Sequence, residues 1–204
     1  TEDQFDKKID KSLNYNITLN DLKINFNKNT FYRDTSIDLN FEKDTLTVYN
    51  PNIILKNSYQ VKFPDNDKGN FVGSLDKNNN VIYVSSNRKE GYFEYKTKTL
   101  GKFFISTDTI GPIIKKINKK DRTNNKKIRL LIRDEGTGIK KYTARINNEW
   151  ALFEYEPKKN LIQFKPDDFI ELKEENELFI VVEDLLGNQL GKNAVIEIDL
   201  TEDL

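Results

Sequence analysis

Apolar residues recur at every second position in many short runs, and this period of two narrows the possible folds more than any other feature. A strand with one face in a core and one face in water produces this period. In the N-terminal half the clearest runs are Leu22, Ile24 and Phe26; Ile37, Leu39 and Phe41; Leu46 and Val48; Tyr59, Val61 and Phe63; Val81 and Tyr83. About eight short strands are expected there, as in a sandwich or barrel.

Turn-forming residues separate these runs. Lys43-Asp44 lies between two alternating runs and predicts a hairpin. Asn50-Pro51, Lys68-Gly69-Asn70 and the Asp76 to Asn80 stretch have the Asn, Asp and Gly content that favours turns. No segment repeats at helical spacing for long enough to predict a helix.

The stretch from Ser106 to Pro112 breaks the strand pattern with polar residues and a Gly-Pro pair, so we place a domain boundary there. The first domain is residues 1–107, with a polar leading segment up to Ser12, and the second is residues 108–204. The second half contains further alternating sets: Ile128, Leu130 and Ile132; Tyr142, Ala144 and Ile146; Trp150 and Leu152; Ile162 and Phe164; Leu178, Ile180 and Val182; Ile196, Ile198 and Leu200. About seven short strands is the count of an immunoglobulin-like sandwich. The predicted fold class is all-β, with two consecutive immunoglobulin-like β-sandwich domains.

The composition excludes several kinds of chemistry. The chain has no His and no Cys, which removes serine and cysteine triads, ordinary zinc hydrolases and cysteine redox chemistry. We therefore predict no catalytic, cofactor-binding or metal-ligating residue. Lys and Arg number 33 and so do Asp and Glu, which argues against general nucleic-acid binding. No apolar run is long enough to predict a membrane span. Because Met is absent, we expect a processed product or an excised segment.

Carboxylates are the remaining candidates for catalysis, because a glycosidase needs two of them across a cleft. Glu154 and Glu156 would share a face of a strand, and Asp167-Asp168 and Glu174-Glu175 are further pairs. In a chain with 33 acidic residues such pairs are usually solvated, so we interpret them as surface.

Calcium is a stronger alternative, because loops rich in Asp, Asn and Gly offer hard oxygen ligands. The candidate loops are Asp76 to Asn80 and the turns that begin at Asp134 and Asp184. No EF-hand spacing is present, and Asp near Gly is itself a turn signal. We interpret all three as structural turns and leave calcium binding open.

Aromatic and basic residues provide the remaining candidates. Trp150 is a possible sugar-stacking platform or interface anchor, but its position after Asn147-Asn148 favours a core residue. Tyr92, Phe93 and Tyr95 either form an exposed aromatic strip or pack into the core. The basic run Lys115 to Lys120, continued at Lys126-Lys127, fits a strand edge protected by Lys, with binding of anionic polymers as the alternative.

The second half also carries a family pattern. Its motifs are Asp134 before Gly136-Thr137-Gly138-Ile139, then Tyr142-x-Ala144-x-Ile146-Asn147 and Trp150, then Val181-Val182-Glu183-Asp184 and Gly187-Asn188. This order resembles the immunoglobulin-like domains of bacterial envelope proteins, with Thr137 where those domains often have Ser. Through Thr97 to Phe104 and Asp108 to Pro112, the whole chain resembles the C-terminal tail of lysostaphin-like, peptidoglycan-cleaving envelope metallopeptidases.

The resemblance implies a non-catalytic accessory region. The family's enzymatic core binds zinc through His and Asp, and this chain has no His, so the peptidase domain would lie upstream. The expected location is the periplasm, the outer membrane or the cell surface, and the expected partner is an envelope protein or that peptidase domain. The alternative is an adhesin or carbohydrate-binding module for peptidoglycan or a surface glycan, with Trp150 or Tyr92 as the platform.

Overall fold

The computed structural model describes residues 4–116, 127–166 and 170–197, and the chain divides into two compact units. Unit 1 is Thr1–Asp108 and unit 2 is Thr109–Leu204. Antiparallel strands account for almost all of the regular structure, as the two-residue period predicts, so the protein is all-β and sandwich-like. The described helical structure is a short 3₁₀ turn, Pro157–Lys159. In the described residues no helix is both long and apolar enough to cross a bilayer.

Eleven strands lie in the described part of unit 1. They are β1 (Gln4–Ile9), β2 (Tyr15–Leu19), β3 (Leu22–Phe26), β4 (Thr35–Glu42), β5 (Thr45–Tyr49), β6 (Tyr59–Pro64), β7 (Phe71–Leu75), β8 (Val81–Ser85), β9 (Arg88–Lys89), β10 (Tyr92–Thr97) and β11 (Gly101–Ser106). One sheet has the order β1-β4-β5-β11-β7-β8 and the other β2-β3-β6-β10-β9. The core of unit 1 combines inward-facing residues from both sheets, including Leu22, Ile24, Leu39, Val61 and Phe103.

Unit 2 contains two four-stranded sheets in its described part. Its strands are β12 (Ile113–Lys116), β13 (Ile128–Arg133), β14 (Ile139–Ile146), β15 (Glu149–Trp150), β16 (Phe153–Glu156), β17 (Leu161–Phe164), β18 (Glu175–Asp184) and β19 (Gln189–Glu197). The sheet orders are β12-β13-β17-β16 and β15-β14-β18-β19. A separate core forms from residues such as Leu130, Ile132, Ile146, Phe164 and Ile180.

Most predicted inward-facing sets are buried. The hairpin at Lys43-Asp44 is confirmed, because both residues have positive φ and join β4 to β5 with Glu42 opposite Thr45. Some residues that were predicted to face inward are less buried than expected. Phe41 and Tyr142 are only partly buried, and Val81 is exposed. Ile198 and Leu200 lie outside the described residues.

The polar N-terminal stretch contains a strand that the sequence did not predict. β1 pairs with β4 along six residues, from Gln4 opposite Asn40 to Ile9 opposite Thr35. β1 is one of the two edge strands of its sheet, and its sequence, which includes Asp6-Lys7-Lys8, lacks a clear apolar alternation. Ile9 is buried and attaches this strand to the core.

The prediction that Trp150 is a core residue is wrong. The buried residues here are Ala151 and Phe153, whereas Trp150 and Leu152 are exposed. The inward-facing positions are therefore displaced by one residue from the predicted ones, and in a strand such a displacement moves every side chain to the opposite face.

Candidate functional site: the outer face of unit 2

The sheet β15-β14-β18-β19 has one face in the core and one face in water. Along β14, Ala144 and Ile146 are buried while Thr143 and Arg145 are exposed. Along β18, Leu178 and Ile180 are buried while Glu177 and Phe179 are exposed. The alternation of a strand thus presents a row of side chains to solvent on a rigid support.

A tight turn determines which way Trp150 faces. Asn147 and Asn148 have φ values of 51° and 67°, as the two central residues of a type I′ hairpin require. The turn places Glu149 opposite Ile146 and Trp150 opposite Arg145. Residues directly opposite each other in an antiparallel pair project from the same face, so Trp150 projects outward with Arg145 and is 64% exposed.

Hydrogen bonds from Asn147 hold this turn against the neighbouring strand. Its amide Nδ2 donates to Oδ1 of Asn176 at 3.0 Å, and its Oδ1 accepts the backbone N–H of Glu177 at 3.0 Å. Asn176 is itself buried and accepts the backbone N–H of Lys173. The position of Trp150 is therefore determined by β18 as well as by the turn.

A row of four residues crosses the sheet at this level. Arg145 lies between Trp150 on β15 and Phe179 on β18, and Phe179 lies opposite Asn193 on β19. At the usual strand spacing, the Cα atoms of Trp150 and Phe179 are roughly 10 Å apart. Phe179 is 42% exposed and Val195, beside Asn193, is 63% exposed. We call this surface the outer face; its members are Thr143, Arg145, Trp150, Glu177, Phe179, Val181, Asn193 and Val195.

Two shallow depressions lie along the outer face. One has a volume of about 680 Å³ and is lined by Arg145, Asn148, Glu177, Phe179 and Val195, among others. The second, about 490 Å³, shares Arg145 and Phe179 with the first. Together they combine aromatic and aliphatic contact area with amide, guanidinium and carboxylate groups that hydrogen-bond in fixed planes.

A charged cluster lies at one end of the second depression. The β-bulge at Ile139 to Lys141 lets both Lys140 and Lys141 reach Glu183, each at 3.0 Å, and Gln189 donates to the same carboxylate at 2.7 Å. The hydrogen bond from Lys140, followed by that from Lys141, lowers the pKa of Glu183 to about 2 against the opposing effect of burial. Glu183 therefore stays ionised over the ordinary pH range.

The turns of unit 2 that begin at Asp134 and Asp184, which are not part of the outer face, lie close to each other. Carboxylate oxygens of Asp134 and Asp184 lie within 4.8 Å of each other. Oδ2 of Asp134 accepts the backbone N–H groups of Gly136, Thr137 and Gly138, and Leu185 N–H donates to the Gly138 carbonyl.

The Asp184 carboxylate is completely buried and equally well bonded. Its Oδ1 accepts the backbone N–H groups of Leu186 and Asn188, and its Oδ2 accepts the amide of Asn188. These bonds account for the turns without a cation. The carboxylates of Asp134 and Asp184 could also offer oxygen ligands to a cation.

The third candidate calcium loop is also stabilised by its own hydrogen bonds. Oδ1 of Asp76 accepts the backbone N–H groups of Asn78 and Asn80, at 2.7 and 2.8 Å. These bonds, first the one from Asn80, lower the pKa of the Asp76 carboxyl. The loop thus has the geometry of a self-capped turn between β7 and β8.

The two carboxylate pairs that the structure describes do not form a shared site. Glu154 and Glu156 are both exposed on β16, and each has its own partner, Lys165 at 2.7 Å and Lys159 at 2.9 Å. Glu174 and Glu175 are exposed at the start of β18. Asp167-Asp168 lies outside the described residues.

The remaining candidates are found in ordinary strand positions. Phe93 and Tyr95 are buried in the core of unit 1, and Tyr92 is half-buried with the Lys23 ammonium 5.1 Å from its ring centroid. Lys115 is exposed on β12, an edge strand of its sheet, as a protected edge predicts. The rest of the basic run is outside the described part, except for the backbone of Lys116 and for Lys127.

Sequence reasoning singled out Trp150 but missed its neighbours. The predicted inward positions Leu178, Ile180 and Val182 leave Phe179 on the opposite face of the strand, and this was the available signal that Phe179 is exposed. The fold and the outer face define an all-β, sandwich-type protein with an exposed aromatic surface. Neither a scan against protein-family models nor a search of curated proteins finds a match for the chain.

Proposed function

We propose that the chain is a non-catalytic binding and scaffolding region of a bacterial cell-envelope protein, located next to a peptidoglycan metallopeptidase domain. The observation that carries the binding role is the row Trp150, Arg145, Phe179 and Asn193 on the outer face. Large aromatic side chains and Arg are the residues that most often dominate the energy of an interface. Their exposure on a sheet means that little ordering is needed before a partner binds.

The strand order of unit 2 supports the immunoglobulin-like part of this proposal. In chain order its strands correspond to A, B, C, C′, D, E, F and G of that fold. The two sheets then have the orders A-B-E-D and C′-C-F-G. The outer face lies on the sheet of strands C′, C, F and G. The likeness concerns architecture, and many unrelated functions use this architecture.

The association with a peptidase is supported by the sequence resemblance alone, and the gene provides its test. Upstream of Thr1 we expect an open reading frame that encodes the His and Asp zinc ligands of a lysostaphin-like domain. A gene that has only a signal peptide before Thr1 would contradict the association, while leaving the binding role of the outer face intact.

Carbohydrate binding is the second candidate function, and the exposure of Trp150 favours it. A sugar ring stacks on an aromatic face, while planar polar groups bond its hydroxyls, and Trp150, Arg145, Asn148 and Glu177 supply both kinds of contact. One Arg and one Glu beside the larger depression leave its lining formally neutral. An uncharged oligosaccharide fits this chemistry.

Glycan-array binding followed by calorimetry tests the carbohydrate function. Trp150→Ala should weaken binding by about tenfold or more, since stacking on an aromatic ring and its apolar contact are lost together. Tyr49→Ala, which removes a similarly exposed aromatic from unit 1, is the control and should bind as the unmodified chain does. Equal affinity of both variants for a bound glycan would rule out the outer face as the sugar site.

A further inference from the structure

The two ends of unit 1 differ in chemistry. The antiparallel pairings place loops 10–14, 27–34, 50–58, 76–80 and 98–100 at one end, which we call the basic end. Segments 20–21, 43–44, 65–70, 86–91 and 107–108 lie at the other, which we call the acidic end. The chain thus leaves unit 1 from the acidic end.

Hydrogen bonds join the loops of the basic end to one another. Lys11 N–H donates to Oδ1 of Asp34 at 3.0 Å, and Lys56 N–H donates to the Thr30 carbonyl at 2.8 Å. The hydroxyl of Tyr59 donates to the Thr99 carbonyl at 2.9 Å, so loop 98–100 is attached as well. These contacts connect loops from four different parts of the chain into one surface.

The exposed apolar side chains in the described part of unit 1 are all at this end. Seven large ones are exposed among its described residues, and each belongs to a basic-end loop or to an adjacent strand end: Leu13, Tyr32, Tyr49, Ile54, Leu75, Val81 and Ile82. The described segments of the acidic end have none of them. Isolated exposed apolar residues are ordinary, but this segregation to one end is not.

The most exposed of these side chains form an adjacent pair. Phe31 and Leu55 make an antiparallel bridge and are buried, so the next residues, Tyr32 and Ile54, face outward together. Tyr32 is 63% exposed and Ile54 is 81% exposed. Both line the same shallow depression with Arg33 and Ile53.

The two ends of unit 1 also differ in their charged residues. The basic-end loops contain six cationic residues, all exposed: Lys11, Lys28, Arg33, Lys56, Lys77 and Lys98. Their three carboxylates, Asp10, Asp34 and Asp76, each accept a backbone N–H from one of the basic-end loops. The acidic-end segments instead contain four cationic and six acidic residues. The basic end of unit 1 is therefore both positively charged and apolar, although the whole chain has no net charge.

We infer that the basic end of unit 1 is a peripheral contact surface for an anionic phospholipid bilayer. Its exposed apolar side chains enter the headgroup region, and its Lys and Arg side chains meet the lipid phosphates. Apolar insertion and cationic attraction are the two signals that together give stable, reversible membrane contact. The long Lys and Arg side chains extend their charges to the phosphates while their methylene groups cover apolar surface. This inference is independent of the proposed role of the outer face.

Vesicle sedimentation with the whole chain tests the inference. We expect binding to phosphatidylcholine vesicles that contain phosphatidylglycerol, much weaker binding to phosphatidylcholine alone, and release at high salt, because screening removes the electrostatic attraction. Tyr32→Ser with Ile54→Ser should lower the partition coefficient at least tenfold, about the effect of one large apolar side chain. Arg33→Gln with Lys56→Gln should lower it about fivefold per charge.

The matched control variants remove cationic and apolar side chains from surfaces other than the basic end. Lys43→Gln with Lys89→Gln removes two exposed cations from the acidic end, and Leu152→Ser removes an exposed apolar side chain from unit 2. Both should bind vesicles as the unmodified chain does. Ile54→Trp in a Trp150→Phe background should give a blue-shifted emission that brominated lipid quenches.

Several results would overturn the inference. They are no binding to anionic vesicles, equal binding with and without phosphatidylglycerol, and equal losses from the basic-end variants and the controls. Self-association through Tyr32 and Ile54 without lipid binding would instead make the basic end a contact between copies of the chain. Circular dichroism of each variant shows whether a loss reflects misfolding, and the fluorescence of the Ile54→Trp variant detects insertion without depending on any loss.

Discussion

Two buried tyrosines in the core of unit 1 differ in how their hydroxyl groups are satisfied. The Tyr59 hydroxyl donates to the Thr99 carbonyl, whereas the buried Tyr95 hydroxyl has no hydrogen-bond partner among the described residues. Burial raises the pKa of both phenols, so both stay neutral at ordinary pH. An unpaired buried hydroxyl costs free energy, because water no longer solvates it.

Replacing each tyrosine with phenylalanine should therefore have different effects on stability. Tyr59→Phe should lower the free energy of unfolding of unit 1 by about 1 kcal/mol, and Tyr95→Phe should leave it unchanged or raise it by up to about 1 kcal/mol. Native-state hydrogen exchange of the β6 and β10 amides measures both. A larger loss in Tyr95→Phe than in Tyr59→Phe would mean that Tyr95 has a partner.

Glu183 makes the stability of unit 2 depend on pH. Its pKa falls from 4.5 to about 2 on folding, chiefly through Lys140 and then Lys141. A carboxyl with a lowered folded pKa contributes stability that is present above the unfolded pKa and is lost as pH falls toward the folded one. This contribution should thus be complete above pH 4.5 and disappear between pH 4.5 and about 2.

Glu183→Gln should remove that part of the pH dependence. Carbon-13 NMR titration of the unmodified chain should give a Glu183 carboxyl pKa well below the usual value. Hydrogen exchange of the β18 amides should show a smaller loss of stability with acid in the variant than in the unmodified chain. An ordinary Glu183 pKa, or identical acid sensitivity of the two proteins, would contradict the proposed ion cluster.

At the scale of the strand, the turn at Asn147-Asn148 determines the face on which Trp150 lies. Positive φ at both positions suits Asn and Gly, and it is strained for β-branched residues. Asn148→Val should lower the free energy of unfolding of unit 2 by about 1–2 kcal/mol, while Asn148→Gly should change it little. Urea unfolding compares them, and equal stability of the two variants would argue against this turn geometry.

The sequence predicted elements best where one face of a strand is apolar and the other polar. Leu22, Ile24 and Phe26 are of this kind, and all three are buried. β1 was missed because an edge strand with a polar sequence has no such alternation. Trp150 was misplaced because β15 is only two residues long, so the alternation had too few members to reveal its register.

The candidate surfaces were harder to predict than the strands. The outer face brings Trp150 beside Arg145 and Phe179, which come from three different strands, and only strand pairing reveals that they are neighbours. The basic end likewise collects short loops that are far apart in the chain. The acidic turns at Asp134 and Asp184 were identifiable because each is a local motif that bonds to its own backbone.

At the scale of the whole molecule, each unit has its own core. The core residues of unit 1 extend from Ile9 to Phe103, and those of unit 2 from Ile114 to Ile196. Because the described core residues of each unit all come from that unit, we expect residues 1–108 and 109–204 to fold when expressed separately. Circular dichroism and cooperative thermal unfolding of the two fragments are the measurements. A fragment without a cooperative transition would show that its fold needs the other unit.

The fluorescence of Trp150 shows whether its indole is exposed on the outer face, because Trp150 is the single tryptophan of the chain. An indole exposed on the outer face should emit close to the wavelength of a free tryptophan amide in water and be quenched by acrylamide almost as efficiently. A blue-shifted emission that acrylamide hardly quenches would place Trp150 in the core, and the binding surface built around it would not exist.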